Sequence, residues 1–134
     1  MKTKALLLLL VSCLWASAAF AGQPVLKFNL TRADGSRADY LFMLPESYVS
    51  TAAPVSDPKG ELQHQAGVAA LTWAKQFYAA HDVYLKGVDL KQTPAPYFLA
   101  DFQGQVGNQE QVFFAVVLPD NTIVEPALSA PTAQ

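Results

Sequence analysis

Residues 97–126 alternate strand-length apolar runs with short polar turns, and this pattern limits the possible folds more than any other feature of the chain. They read YFLADFQGQVGNQEQVFFAVVLPDNTIVEP. No run approaches the ~20 apolar residues that a helix needs to cross a bilayer. The pattern instead predicts strands over 97–102, 112–118 and 122–124, with turns between them. Because FFAVVL is apolar on both faces, its strand is expected in the middle of a sheet.

The segment VLKFNLTRADGSRADYLFML predicts a β-hairpin around Asp34 and Gly35. A two-residue turn would place Phe28 opposite Leu41. A three-residue loop with Gly35 in a bulge would instead pair Phe28 with Tyr40 and gather the large apolar side chains on one face. The second register is preferred, because a slip by one residue would move half of those side chains to solvent.

A single long helix is predicted after the hairpin. Asp57 suits the N-cap position and Pro58 the first helical position. Apolar residues then recur at spacings of three and four, which predicts one buried face as far as about His81. They are Leu62, Ala66, Ala69, Trp73, Phe77 and Ala80. The proline-containing segment before the helix, 45–58, is predicted to be a long loop, and 83–92 after it a strand.

These elements, in the order ββ-α-ββββ, predict an α+β fold. One antiparallel sheet of about five or six strands would carry the long helix on one face. Residues 22–126 would form a single domain, and residues 127–134 would form a disordered tail.

Residues 1–21 have the three regions of a cleaved signal peptide, which predicts a periplasmic protein. Lys2 and Lys4 form a basic start, an apolar stretch follows, and Ala19-Phe20-Ala21 fits a cleavage site. An alternative is lipidation of Cys13, because LVSC has the residue types of a bacterial lipobox, although apolar residues follow it. No stable membrane span is expected.

The net charge and the cysteine content exclude some classes of partner and site. After cleavage the chain would keep seven basic residues against eleven acidic ones, a formal charge of −4, which argues against nucleic acid as the main partner. Cys13 is the one cysteine, so the mature chain would have no disulfide and no thiolate metal ligand. A hydrophobic core must therefore stabilise the fold.

No constellation of residues predicts catalysis, a metal site or a cofactor, and the protein is expected not to be an enzyme. His64 and His81 lie on the same predicted helix, about 25 Å apart, so they could not share a metal ion. Asp101 interrupts the apolar run YFLADF and would be a buried carboxylate if that side of the strand were covered. The alternative, in which Asp101 faces solvent, is preferred.

Two surface segments supply the predicted partner-binding residues. The loop 45–58 carries an acid and an aromatic residue, and an aromatic side chain in a long loop is a typical contact residue. The polar segment QGQVGNQEQ, at 103–111, predicts a hairpin tip whose amide side chains could bond to a partner's backbone. The predicted contact residues are Glu46, Tyr48, Gln103, Gln105, Asn108 and Gln109.

A helix, then a strand, then a hairpin whose tip reads QGQVG from Gln103 resembles the cystatin-like fold. Inhibitors of that family insert a Gln-x-Val-x-Gly hairpin into a papain-type protease cleft. Here the spacing differs, and the family's second Pro-Trp loop is absent. The helix and the strands that end in LPDNTIVEP are also similar to small PepSY-type modules of exported bacterial proteins. Both resemblances rest on element order and imply no functional residue.

Three hypotheses of function follow. The leading one is a small non-catalytic periplasmic protein that binds another protein, for example an inhibitor or immunity protein of an envelope hydrolase or toxin. The second is a small-ligand binder or enzyme with a pocket between the sheet and Trp73 and Phe77, using Asp101 or His81 as its polar group. The third is an assembly subunit that polymerises through 112–118.

Overall fold

The structure is a computed structural model that describes residues 22–129. The predicted signal peptide, the candidate lipidation site Cys13 and residues 130–134 of the predicted tail lie outside the described residues. The fold is α+β with antiparallel strands, as predicted. In chain order the elements are β1 (Gly22–Thr31), β2 (Arg37–Pro45), α1 (Glu46–Thr51), α2 (Glu61–Phe77), β3 (Ala80–Lys91), β4 (Tyr97–Val106), β5 (Gln109–Val117), β6 (Ile123–Val124) and β7 (Ala127–Ser129).

The seven strands form two sheets, so the prediction of a single sheet was wrong. Sheet A has the order β1-β2-β7, and sheet B has the order β3-β4-β5-β6. The hairpin packs against sheet B instead of extending it: the Phe28 ring contacts Phe114 of β5 at 5.1 Å and Tyr78, just after α2, at 6.1 Å between ring centroids. The apolar face of the hairpin is therefore covered by packing, not by a continued ladder.

The β1–β2 hairpin has the bulged register that the sequence favoured, with Phe28 opposite Tyr40. Gly35 has a φ of +88°, which residues with a side chain rarely adopt. Asp34 Oδ1 accepts hydrogen bonds from both the N–H and the hydroxyl of Ser36. The turn therefore depends on residues next to each other in the chain.

The start of α2 is held by Asp57, although the helix begins at Glu61, later than predicted. The two carboxylate oxygens of Asp57 accept the N–H groups of Leu62 and Gln63, at 3.1 and 3.0 Å. These N–H groups have no partner within the helix, so the side chain fulfils a capping role from outside the first turn.

The end of α2 comes four residues before the predicted His81. The helix ends at Phe77, and Ala79 has a φ of +52°, the conformation that usually follows a helix and is usually taken by glycine. β3 then begins at Ala80, so His81 lies in a strand and not in the helix. Neither helix within residues 22–129 is long and apolar enough to cross a membrane.

Three other boundaries also differ from the prediction. The loop predicted at 45–58 contains the short helix α1, which has no buried residue. β4 continues to Val106, so the β4–β5 turn is Gly107 and Asn108 alone, not 104–108. Part of the predicted tail forms β7, where Leu128 pairs with Tyr40 of β2. This pairing occupies the side of β2 that β1 leaves free.

Two apolar clusters hold the elements together. The first lies between α2 and sheet B, where three buried alanines of the helix pack near the aromatic residues of β4 and β5; they are Ala66, Ala70 and Ala74. The second lies between sheet A, α1 and the outer side of sheet B, and Trp73 packs against both clusters. The predicted strand 112–118 is mainly interior; its buried residues are Phe113, Ala115, Val116, Val117 and Leu118.

Candidate functional site

Sheet B has one face against α2 and a second face that is partly open. The β4 residues Phe98, Ala100 and Phe102 are buried in the cluster that contains the helix alanines. Side chains alternate along a strand, so Asp101 and Gln103 are on the opposite face. Both are half-buried. The expectation that Asp101 faces solvent is met only in part, because its side chain lies on the face away from the helix but is half-buried.

This second face is covered at one end only. Tyr97 is buried and Leu99 half-buried, in the apolar cluster that also contains Phe42 of β2 and Tyr48 of α1. Further along β4 the cover ends, and Gln105 is exposed. A partner can therefore reach the end of sheet B that lies nearest the β4–β5 turn.

Strand register places side chains from three strands together at this end. Gln103 of β4 pairs with Tyr84 of β3 on one side and Val112 of β5 on the other. Direct cross-strand partners share a face of the sheet. We call this surface the open face and define it by Tyr84, Asp101, Gln103, Gln105, Glu110 and Val112.

The middle row of the open face combines aromatic, amide and aliphatic groups. Tyr84 is 52% exposed and Val112 is 41% exposed. The Tyr84 hydroxyl donates a hydrogen bond to Gln103 Oε1 at 2.8 Å, which orients both side chains. The carboxylates of Asp101 and Glu110 lie on either side of this row. The surface therefore offers apolar contact area with acceptor groups around it.

A β-bulge in β3 places Tyr84 on this face. The register of the β3–β4 ladder shifts just before the pair of Tyr84 and Gln103. Val83 lies over Gly104, where an added Cβ would come within 2.9 Å of Val83 Cγ2. In a ladder without the extra residue, Tyr84 would be opposite Phe102 and would face α2. The exposed tyrosine therefore depends on a glycine in the neighbouring strand.

Four of the predicted contact residues lie at or beside the open face. Gln103 and Gln105 belong to it. Asn108 lies in the β4–β5 turn and Gln109 at the start of β5, and both are exposed. Tyr84 and Val112 were not predicted from the sequence, because only the strand register brings them next to Gln103.

The other two predicted contact residues, Glu46 and Tyr48, lie at the opposite end of β4. The Tyr48 hydroxyl donates to the carbonyl oxygen of Pro96, at 2.6 Å, just before β4 begins. The 10 residues of β4 span about 30 Å, so these residues do not form one site with the glutamines. Glu46 is exposed and accepts a hydrogen bond from Gln23 at 3.3 Å.

Tyr48 has a structural role in this arrangement. Its ring packs against the second apolar cluster, and its hydroxyl joins α1 to the start of β4. Burial, and secondarily the negative charge of Asp120, raises the pKa of Tyr48. The hydroxyl therefore keeps its proton, and its role as hydrogen-bond donor, to a higher pH than a phenol in water.

The residues that the second hypothesis placed in one pocket do not lie together. Asp101 lies on the face of sheet B opposite α2, and His81 is cross-strand partner to Gln105 on that same face. Trp73 and Phe77 are on α2, where their rings stack at 4.6 Å between centroids. The two sets of residues are therefore on different sides of sheet B.

A groove lies between the first half of α2 and β3, with a volume of about 430 Å³. Its apolar lining includes Val68, which is 56% exposed, and Leu85. Gly67 allows the close approach of helix and strand, because an added Cβ would lie 3.1 Å from Leu85 Cδ2. His64 also lines this groove and is exposed. The groove is a second surface that a partner could contact.

Comparisons with known proteins give no match, so any proposal of function must rest on the geometry described above. No family model, curated protein or solved structure matches the chain. The resemblances to the cystatin-like fold and to PepSY-type modules therefore stay predictions. Within residues 22–129 no three or more histidine, cysteine or acidic residues are grouped in a way that could hold a metal ion.

Proposed function

We propose that this protein is a non-catalytic binding protein that acts by contact between its open face and another protein. The observation that carries the proposal is the middle row of that face, Tyr84–Gln103–Val112. Single exposed apolar side chains are common on protein surfaces, but here a tyrosine and a valine flank an oriented amide. Tyrosine is enriched at protein interfaces because its ring is apolar and its hydroxyl is polar.

The charges around this row indicate the kind of partner surface that would fit. Asp101 and Glu110 add two carboxylates, and Gln105 adds an amide. A partner with hydrogen-bond donors or basic side chains around an apolar centre would complement this face. Export, as residues 1–21 predict, would place that partner in the cell envelope. An inhibitor or immunity protein of an envelope hydrolase or toxin is the concrete form of the proposal.

Two features favour binding over the polymerisation hypothesis. The segment 112–118 nearly coincides with β5, which pairs with β4 along its length and with β6 at Val116 and Val117. It could polymerise only by leaving the sheet. β3 has a strand on one side only in sheet B, but its ladder contains two register shifts. Bulges of this kind interrupt edge-to-edge pairing.

Affinity capture from envelope extract tests the proposal with variants of the full chain. The double variant Tyr84→Ala/Val112→Ser removes the apolar groups of the open face. The matched control is Val68→Ser, which makes the same change at an exposed valine in the α2–β3 groove. A protein recovered with the wild type and the control should be depleted at least about tenfold with the double variant. Equal recovery with the double variant, shown to be folded, would refute the proposal.

The same experiment shows whether the partner contacts the open face or the α2–β3 groove. If Val68→Ser loses the captured protein and the double variant keeps it, the groove between α2 and β3 is the contact surface.

A further inference from the structure

The groove between α2 and β3 brings together accessible apolar side chains from both elements. Val68 of α2 is 56% exposed and Leu85 of β3 is 37% exposed, and both line the groove. Leu71 and Val88 add to its apolar lining. The volume of about 430 Å³ is within the range of about 300–1,000 Å³ that is typical of sites for small ligands. The groove could therefore take up an alkyl chain.

Contacts between the helix and the strand fix the width of the groove. Gly67 lets α2 approach β3, because an added Cβ would lie 3.1 Å from Leu85 Cδ2 and 3.3 Å from Val88 Cγ2. Gln63 Nε2 donates a hydrogen bond to the Val88 carbonyl oxygen at 2.6 Å, which joins the first turn of α2 to β3. A ligand would therefore meet walls that are already in place, and this lowers the cost of binding.

A β-bulge in β3 brings a positive charge to the groove. Leu85 pairs with Phe102 and Gly87 pairs with Asp101, so Lys86 is the extra residue of the ladder. With regular alternation Lys86 would lie on the open face, on the side of sheet B away from α2. The bulge instead leaves Lys86 in the lining of the groove, beside Leu85. Its side chain is exposed, so its ammonium group can reach a bound anion.

The ionisable groups that line the groove are all bases. His64 is exposed and lines it together with Lys86. No acidic residue of the described range 22–129 lines the groove, although the whole chain has eleven acidic residues against nine lysines and arginines. Asp101 approaches Gly87 from the other face of sheet B, so β3 separates its carboxylate from the groove. The charge of the groove therefore complements an anion.

We infer that this groove binds a single-chain aliphatic carboxylate, which is the chemistry of a free fatty acid. The alkyl chain packs along Val68 and Leu85, the carboxylate pairs with Lys86, and His64 adds a second donor on the helix side. Such a ligand matches both parts of the lining. An inorganic anion would use the bases alone, and a neutral alcohol would use mainly the apolar part. The groove is separate from the open face, so the inference does not depend on the proposed function.

Titration of the full chain with sodium octanoate, kept below the concentration at which it forms micelles and followed by NMR, tests the site. The expected result is saturable shifts of the Val68 and Leu85 methyl signals, with a Kd of about 1 mM or less. Lys86→Gln should weaken binding at least about threefold, because the charged partner of the carboxylate is lost. The control Lys91→Gln makes the same change at an exposed residue of β3 outside the groove and should alter the affinity by less than about 1.5-fold.

Two further probes, used on the unaltered protein, separate the parts of the site. 1-Octanol keeps the alkyl chain without the charge and should bind at least about threefold more weakly than octanoate. Acetate keeps the carboxylate without most of the chain and should bind at least about tenfold more weakly.

Three results would overturn the inference. The first is a loss of affinity in Lys86→Gln no larger than that in Lys91→Gln, which would leave no specific role for Lys86. The second is binding of 1-octanol or acetate as tight as that of octanoate. The third is the absence of saturation up to about 10 mM, or shifts confined to residues outside the groove such as Tyr84 and Val112.

Discussion

The side-chain amide of Gln111 makes hydrogen bonds to both backbone groups of Thr31. Gln111 Oε1 accepts the Thr31 N–H at 2.9 Å, and Gln111 Nε2 donates to the Thr31 carbonyl at 2.8 Å. The side-chain amide therefore imitates one pair of a β-ladder between the end of β1 and β5. This contact links the two sheets across 80 positions of sequence.

Replacement of Gln111 should loosen the attachment of sheet A. Gln111→Ala leaves two part-buried backbone groups of Thr31 unpaired, and we expect the free energy of unfolding to fall by about 1–3 kcal/mol. Denaturant unfolding measures the change. Gln109→Ala, at an exposed position of the same strand, is the control and should cost less than about 0.5 kcal/mol. Equal losses in the two variants would show that the amide bridge contributes nothing.

Gly104 should be the glycine of sheet B that is least tolerant of a side chain. In Gly104→Ala the new Cβ would lie 2.9 Å from Val83 Cγ2 and 3.1 Å from Val83 Cα. We expect a loss of about 1–3 kcal/mol in unfolding free energy. Addition of Val83→Ala should restore only part of it, because the backbone contact persists. A double-mutant cycle measures the coupling, and strictly additive losses would contradict this account.

The β1–β2 hairpin shows what local sequence can predict. Gly35 at positive φ, and Asp34 bonded to Ser36, set the turn within three residues, and the alternating apolar residues then set the register. The correct register could be predicted because every residue that determines it is close in the chain. The interior position of the strand around Phe113 was predictable for a similar reason, namely its apolar composition.

The second sheet, the bulge and the helix end depend on contacts that no local pattern reveals. In the two-sheet arrangement Gln111 bonds to Thr31, and a lone glutamine in a polar segment gives no signal of such a contact. The helix was predicted to continue because Ala79, in a left-handed conformation, occupies a position where glycine is the usual indicator. The strand β7 follows from its pairing with β2, not from its own sequence.

The candidate site was predictable in part. The amides of Gln103 and Gln105 stand out in the sequence because they interrupt an apolar region. Tyr84 and Val112 do not, because each lies in an ordinary strand pattern and becomes a neighbour of Gln103 only through the register. Tyr48 was chosen for its place in a loop, but its hydroxyl is bound to the Pro96 carbonyl.

Stability should decline at alkaline pH because of Tyr78. Its hydroxyl donates to the Phe114 carbonyl at 2.7 Å, and burial strongly raises its pKa. Above pH ~10 the unfolded chain releases the phenol proton while the folded chain keeps it, so the free energy of unfolding falls as pH rises. Tyr78→Phe should cost about 1 kcal/mol at neutral pH and reduce this slope.

Denaturation curves from pH 7 to 11 measure the effect. Tyr84→Phe is the control, because it removes a hydroxyl from an exposed ring. Part of the slope should persist in Tyr78→Phe, since burial also raises the pKa of Tyr97. The same alkaline slope in Tyr78→Phe and the wild type would rule out a contribution from the buried phenol.

Removal of the Asp57 carboxylate should destabilise the start of α2. Asp57→Ala leaves the N–H groups of Leu62 and Gln63 without their acceptors, so we expect a loss of about 0.5–2 kcal/mol. Thermal unfolding measures it, with Asp89→Ala, at an exposed residue of β3, as the charge-matched control. Asp57→Asn should retain part of the stability, because one oxygen can still accept. Identical midpoints for Asp57→Ala and the control would show that the cap is not needed.

Hydrogen exchange tests the role of the open face most directly. Exchange rates of backbone amides in the full chain are compared with and without the captured partner. We expect the partner to slow exchange around Tyr84, Gln105 and Val112 and to leave the Val68 region of α2 unchanged. Slower exchange confined to the α2–β3 groove, or no change at the end of sheet B nearest the β4–β5 turn, would contradict it.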